Sequence, residues 1–308
     1  MDQPRIVVVG SANMDLVATG PVLPRPGQTV LGTEFTMVAG GKGANQAIAA
    51  SRAGARAVLL GAIGSDAFGV TIKARIAANG VDTSRLRVVY GASGVALITV
   101  DATGENTIMV IPGANAAFTG LDEAELAVVR QADLLVAQLE IPVEAVTEAA
   151  VAAHDAGTRV VLHATPARAV PQRLLQAVDL LVASEEEVAA AIGRDGGEMD
   201  VAALLAAVPR AVVTLGPLGA RYVDRDGADE RIPPVRVPVV DSTAAGDAFT
   251  AALAVAWGEG RDLVDAVRWA SAAAAACARR RGAQAALPRR DEIDGLYRDQ
   301  ASDCTGQG

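Results

Sequence analysis

The sequence predicts an α/β protein: a three-layer α/β/α core on a mainly parallel sheet, carrying a small antiparallel β-sheet as a lid. Short β-branched runs bounded by Gly or Asp recur along the 308 residues, each followed by an alanine-rich amphipathic stretch, which is the rhythm of βαβ units. These runs are apolar throughout, so the strands expect cover on both faces. Two segments, Asp15–Val38 and Ser93–Ile111, instead alternate apolar and polar residues across Gly/Pro turns or the Asp101–Asn106 turn, as antiparallel strands with one open face do.

Strands are expected over Arg5–Gly10, Ala57–Gly61, Leu134–Ala137, Arg159–Leu162, Leu180–Val182 and Ala211–Leu215. Helices fall between and after them, over Ala44–Ala53, Phe68–Asn79, Val143–Ala156, Glu185–Ile192, Ala248–Trp257 and Leu263–Ala278. Residues 1–12, 39–92 and 112–298 then form the core, 13–38 and 93–111 the lid, and 299–308 a polar tail that frays from Ala301 onward. No repeat of solenoid period and no low-complexity linker divides the chain.

A chain with 51% hydrophobic and 20% charged residues is globular and large enough to bury a sizeable core. Its formal charge of −9 gives no general attraction to nucleic acid or an anionic membrane, so any anion must be bound locally. Cys277 and Cys304 support neither a disulfide framework nor a zinc site, and a reducing cytoplasm fits them. The apolar run Ile6–Val9 is too short for a signal peptide, and no 18 apolar residues run uninterrupted. Lys42 and Lys73 are the only lysines, which draws attention to where they stand.

Three glycine-rich places have chemistry to offer. Gly40-Gly41-Lys42-Gly43-Ala44-Asn45-Gln46 opens an alanine-rich helix. Its glycines admit close backbone approach, while Lys42, Asn45 and the helix-start amides can bond hydroxyls or anions. A glycine turn that merely caps a helix would read the same way. The spacing of a Walker A loop is missing. Asp241-Ser242-Thr243-Ala244-Ala245-Gly246-Asp247 leads into an uncharged helix. The amides of Ala245, Gly246 and Asp247 would lie there at the positive end of a dipole, with Asp247 in the first turn as a cap or as a base. Thr214-Leu215-Gly216-Pro217-Leu218-Gly219 suits a nucleotide or a plain turn between strands. Ser184-Glu185-Glu186-Glu187 is a helix start whose acids favour the dipole, and one carboxylate there can organise Mg²⁺ through water.

Two other enzyme classes are excluded. Gly10 is followed by Ser11-Ala12-Asn13-Met14-Asp15, without the Gly-x-Gly-x-x-Gly fingerprint of dinucleotide-binding folds. Only His154 and His163 exist, and no Gly-x-Ser-x-Gly elbow supports a Ser/His/Asp site.

Taken together, these segments resemble the PfkB-type carbohydrate kinases, in family order and nearly end to end, from Ile6 to about Leu296. The likeness is carried by Gly10 to Asp15, Gly40 to Gln46, Gln138-Leu139-Glu140, Asp241 to Phe249 and Arg281-Gly282-Ala283-Gln284. The Gly-Lys-Gly-Ala-Asn form is similar to the ribose-phosphorylating branch in particular.

The resemblance implies ATP-dependent transfer of the γ-phosphoryl group to the C5 hydroxyl of D-ribose. By similarity, Asn13, Asp15, Gly41, Lys42, Gly43, Asn45 and Glu140 hold the sugar. Asp247 is the base, beside an anion hole at Ala244, Ala245 and Gly246. Ser184, Thr214, Leu215, Gly216, Gly219, Gly246 and Ser271 line the nucleotide, and Glu187 orders Mg²⁺. A monovalent cation, usually K⁺, maps onto Asp241 and Thr243 with Cys277, Arg280, Gly282 and Ala286. The lid is expected to close over the sugar and to pair with its twin in a homodimer, since a small sheet with an exposed apolar face needs a partner surface. The chain departs from the family's usual Asn-Pro-Ala-Pro at His163-Ala164-Thr165-Pro166, from Asn at Ser184, and from a polar residue at Leu218. A kinase for another sugar or nucleoside, and a catalytically silent sugar-binding protein, remain the alternatives.

Overall fold

In the computed structural model, which describes residues 3–194 and 199–305, the chain builds one large sheet, one small sheet and helices on both faces of the large one. It opens with β1 (Arg5–Val9), β2 (Asn13–Thr19) and β3 (Glu34–Gly40), followed by α1 (Lys42–Ala53), β4 (Arg56–Gly64), α2 (Ala67–Ala78) and β5 (Leu86–Val89). The hairpin β6 (Gly94–Val100) and β7 (Asn106–Ile111) and a 3₁₀ turn (Gly113–Ala117) lead to α3 (Glu123–Arg130). Then β8 (Leu134–Ala137), α4 (Val143–Asp155), β9 (Arg159–His163), α5 (Gln172–Ala177), β10 (Leu180–Ser184), α6 (Glu185–Ala191), α7 (Val201–Ala207) and β11 (Arg210–Thr214) alternate. An edge hairpin, β12 (Ala220–Asp224) and β13 (Asp229–Ile232), precedes α8 (Ala245–Gly258), α9 (Leu263–Ala278) and α10 (Arg290–Thr305).

The large sheet has nine strands in the order β13-β12-β11-β10-β9-β8-β1-β4-β5. All its pairs are parallel except β11–β12 and β12–β13, so it is mainly parallel, as the apolar runs require. Alternate residues of β1 go to opposite layers. Ile6 and Val8 join the core under α1, α8 and α9, and Val7 and Val9 join the core under α3 and α4.

Chain order reverses at β1. From it the chain steps out to β4 and β5 on one side, and later to β8, β9, β10 and β11 on the other. Ligands of such sheets bind outside the strands' carboxyl ends at this switch point. The carboxyl ends of β1, β8, β9, β10 and β11 deliver Gly10, Gln138, His163, Ser184 and Thr214.

The small sheet runs β3-β2-β6-β7. The alternation in the sequence predicts antiparallel strands, and β2–β3 and β6–β7 are antiparallel, but the central pair β2–β6 is parallel. Four core elements intervene between β3 and β6, so the two hairpins are joined by a crossover and their inner strands align. The tail differs as well. α10 continues through Thr305, and the rest of the segment assigned to it lies outside the described residues. Among the described residues no helix is long and apolar enough to cross a membrane.

Candidate active site

Gly41 initiates the site. It holds φ 89°, and a Cβ there would stand 2.8 Å from Ala12 Cα and from the Asn13 nitrogen, so the turn into α1 requires glycine. The turn packs on the end of β1: the Ala44 amide donates to the Ser11 carbonyl (2.8 Å) and the Lys42 amide to Glu140 Oε2 (3.1 Å). The Ser11 hydroxyl donates to the same Glu140 oxygen, fixing a carboxylate that follows β8 against the first turn of α1. Gly40 leaves room for Asp15, whose carboxylate a Cβ at that position would strike.

Asp247, in the first turn of α8, is buried with 4% of its surface exposed. Asn45 Nδ2 donates to its Oδ2 (3.0 Å) and Gln46 Nε2 to its Oδ1 (2.9 Å). Burial drives the Asp247 carboxyl above the ordinary range, and Glu140 adds to the rise. The Lys42 charge and the two amide donors oppose it, favouring the carboxylate.

Burial also pulls on the Lys42 ammonium, but Asp247, Glu140, Glu187 and Asp15 outweigh it and hold it above its usual value. Asp15 is pushed up to about 7, by burial first and then by Glu140 and Asp247, with Lys42 opposing. One cation therefore stands among four carboxylates. Asn45 Oδ1 is buried without a hydrogen-bond partner among the described residues, an acceptor suited to a hydroxyl donor. Asn13 is buried too, its Oδ1 accepting from Asn115 Nδ2 (2.7 Å).

The chain enters α8 through Ala244, a non-glycine residue in the left-handed region at φ 61°. This turn corrects the sequence reading. The Ala245 amide folds back onto the Ser242 carbonyl (3.1 Å), so it is not free, whereas those of Gly246 and Asp247 make no backbone bond among the described residues. The donors left at the positive end of α8 are these two.

At the end of β10, Ser184 and Glu187 close a capping box on α6: Glu187 Oε2 accepts from the Ser184 amide (2.7 Å), and Ser184 Oγ accepts from the Glu187 amide (3.3 Å). The Ser184 oxygen is thus engaged by the helix. Burial raises the Glu187 carboxyl, but hydrogen bonds from Ser184 and Thr165 prevail and hold it below the usual range. Thr214 ends β11, and Leu215, Gly216 and Gly219 form the turn beyond it, closed by the Leu215 amide on the Gly219 carbonyl (2.8 Å). Leu218 is exposed there. Ser271 lies within α9 with its hydroxyl given to the Val267 carbonyl (2.9 Å).

Asp241 ties the α8 turn to the segment after α9. Its Oδ1 accepts from the Thr243 amide (2.9 Å) and hydroxyl (2.6 Å), and its Oδ2 from the Gly282 amide (2.8 Å). Burial raises this carboxyl, but those bonds outweigh it and keep it low. Cys277 donates its thiol to the Thr243 carbonyl (3.6 Å), Arg280 pairs with Glu292 (2.9 Å), and the Ala286 amide closes a turn on Ala283 (3.1 Å). Asp241, Thr243, Cys277 and Gly282 come together, while the Arg280 side chain points to α10. A carboxylate and backbone carbonyls are hard oxygen donors that fit an alkali cation. Among the described residues no cluster of three or more His, Cys, Asp or Glu is placed to hold a metal ion, so Mg²⁺ would need the nucleotide's own phosphates beside Glu187.

The family model of the pfkB family carbohydrate kinases matches residues 3–290. The chain belongs to that family. This pfkB-family chain is 38% identical to ribokinase of Bacillus subtilis over 296 residues, covering 94% of its own length and 98% of the relative's. It is 30% identical to mouse ribokinase, covering 94% and 93% of the two chains. Among solved structures, it superposes on Arabidopsis thaliana ribokinase complexed with ribose and ATP with a TM-score of 0.89 at 31% identity, over 96% of this chain and 99% of that one.

The site also contains residues to which the sequence reading gave no role. Gln46 and Gln138 are completely buried, Gln46 bonded to Asp247, and Gln138 Nε2 donates to Gln46 Oε1 (2.6 Å). Asn115, in the 3₁₀ turn after β7, clamps Ala12 and Asn13. Gln46 carried a signal: it is a long polar residue on an alanine helix, next to Asn45. Asn115 carried none.

Proposed function

We propose that the chain phosphorylates D-ribose on its C5 hydroxyl with ATP as donor. The observation that carries this reading is the convergence at Asp247: a buried carboxylate oriented by Asn45 and Gln46, facing Lys42, with free amides at its own helix start. Asn13, Asp15, Gly41, Lys42, Gly43, Asn45 and Glu140 surround the sugar, the unpartnered Asn45 Oδ1 receiving one hydroxyl. Asp247 takes the proton of the C5 hydroxyl as that oxygen attacks the γ-phosphorus. The bond from phosphorus to the β–γ bridging oxygen breaks and ADP leaves. The amides of Gly246 and Asp247 meet the charge on the transferring phosphoryl group.

Thr214, Leu215, Gly216 and Gly219 would border the nucleotide, with Ser184 and Ser271 near it. Glu187 would hold Mg²⁺ through water, and the ion would supply charge neutralisation on the phosphates. Asp241 and the Thr243 carbonyl, with the loop from Cys277 to Ala286, would hold a K⁺ ion, whose charge would steady the anion-hole turn. The small sheet closes over the sugar and joins two copies of the chain. Its exposed Phe35, Met37, Leu97 and Met109 lie on one face, since Met37 and Leu97 both pair with Leu16 and Leu97 with Met109. A reducing cytoplasm suits the free thiol of Cys277.

A coupled ADP-release assay across pentoses, hexoses and nucleosides tests the reading. D-ribose gives the highest kcat/KM. A higher value for fructose or any nucleoside assigns another acceptor, and no ADP release with any of them assigns a silent binding protein.

A further inference from the structure

His163 is a buried titratable group that the proposed mechanism does not use. It ends β9 with 8% of its surface exposed, and its ring lies under the anion-hole turn, with Cε1 3.5 Å from where a Cβ on Gly246 would stand. Gln46 Nε2 stands 3.0 Å from His163 Nδ1 and 2.9 Å from Asp247 Oδ1, while Gln46 Oε1 receives Gln138 Nε2.

The chemistry of the partners settles who donates. A carboxylate only accepts, so Gln46 turns its NH₂ toward Asp247 and its oxygen toward Gln138. One amide hydrogen goes to Asp247 and the other to Nδ1. Nδ1 must accept, which an imidazolium cannot do, so His163 is neutral with its proton on Nε2. Burial, with the Lys42 charge, depresses its pKa to about 3, in keeping with that state, and Glu187 opposes.

We infer that His163 is a positioning residue for the catalytic carboxylate: its Nδ1 fixes the Gln46 amide, which in turn aims Asp247 Oδ1. The inference rests on the reading of Asp247 as the base in ribose phosphorylation. Without an acceptor at that point, one hydrogen of a fully buried amide is left unpaired and Gln46 is free to rotate away from the carboxylate. Among the described residues the sugar-holding groups Asp15, Lys42 and Asn45 make no hydrogen bond to His163, so the loss belongs to turnover rather than to ribose binding.

The test compares His163→Leu, His163→Asn and His163→Gln in the full chain with ATP and D-ribose, reading kcat, KM and melting temperature. His163→Leu lowers kcat about tenfold or more with KM for ribose changed less than about threefold, since misaligning a reacting group costs rate steeply. Asn carries its oxygen where Nδ1 stands and keeps kcat within about threefold, whereas Gln carries its oxygen near the Nε2 position and does not rescue. In a Gln46→Leu background, His163→Leu costs nothing further. Equal rates for the Asn and Gln variants, a loss confined to KM, or an additive double variant would overturn the inference. The comparison of the Asn and Gln variants remains readable if the Leu variant fails to fold. A wild-type chain inactive on ribose would instead sink the functional reading, which keeps the two failures apart.

Discussion

Asn45 and Asp247 are 202 residues apart in sequence and 3.0 Å apart in space, joined by a hydrogen bond between the first turns of α1 and α8. Under the proposed function, that bond links the helix of the sugar-side groups to the helix of the base and the free amides, so substrate recognition and proton transfer would share one buried junction.

Asp247→Asn is expected to lower kcat by about 10²–10⁴, the usual worth of a general base, while KM for ribose moves little. The amide keeps the shape but cannot take the hydroxyl proton, and it faces two amide donors with only one oxygen to offer. Retention of more than about a tenth of the wild-type rate contradicts the assignment of Asp247 as base.

Asp15, held up at about 7 by burial and by Glu140 and Asp247 against Lys42, should make ribose binding pH-dependent under the proposed function. Its ionised form accepts sugar hydroxyls, so affinity should rise about tenfold between pH 6 and pH 8, and Asp15→Asn should flatten the dependence. The stability of the empty protein runs the other way. In the unfolded chain this carboxyl ionises near the ordinary 3.8, so between there and about 7 the folded chain holds an extra proton, and this contribution is lost as pH rises through that window. Calorimetric titration with ribose at the two pH values, and melting with and without the substitution, check both signs.

Much of this arrangement is legible in the sequence, and the reasons for the remainder are physical. Leu134–Ala137 and Leu263–Ala278 match their observed bounds, because a wholly apolar strand and an Asp-capped helix leave no ambiguity at their ends. α1 begins earlier than expected, at Lys42, since glycine and lysine there read as loop until Gly41 is seen to make the turn. The edge strand β13, with Asp229, Glu230 and Arg231, is too charged and short to stand out. The site residues sit at strand ends and glycine turns, where local composition reveals them. Their mutual distances do not show: that Gln46 bridges Asp247 and His163, or that Ala245 spends its amide on Ser242, depends on how far-separated turns meet.

Potassium should activate turnover and sodium less so, at matched ionic strength. Asp241→Ala should remove the difference, because Asp241 joins the Thr243 turn to Gly282 and so shapes the anion hole. The readout is kcat/KM against cation concentration, with melting temperature as control. Equal activity in potassium-rich and potassium-free buffer counts against a cation site here.

Phe35, Met37, Leu97 and Met109 are each at least 44% exposed, an apolar face that predicts a dimer through the small sheet. Sedimentation at micromolar concentration should give twice the mass of 31.3 kDa, and Met109→Asp should shift the protein toward the monomer. A wild-type monomer at that concentration removes the interface.

The most direct test of the central claim is the phosphorus NMR spectrum of the product made from ATP and D-ribose. Transfer to the C5 hydroxyl places phosphate on a methylene carbon, so the account predicts a phosphomonoester triplet from coupling to two protons, absent with Asp247→Asn. A doublet, which marks phosphate on a carbon bearing one proton, or an undiminished triplet from Asp247→Asn, would contradict it.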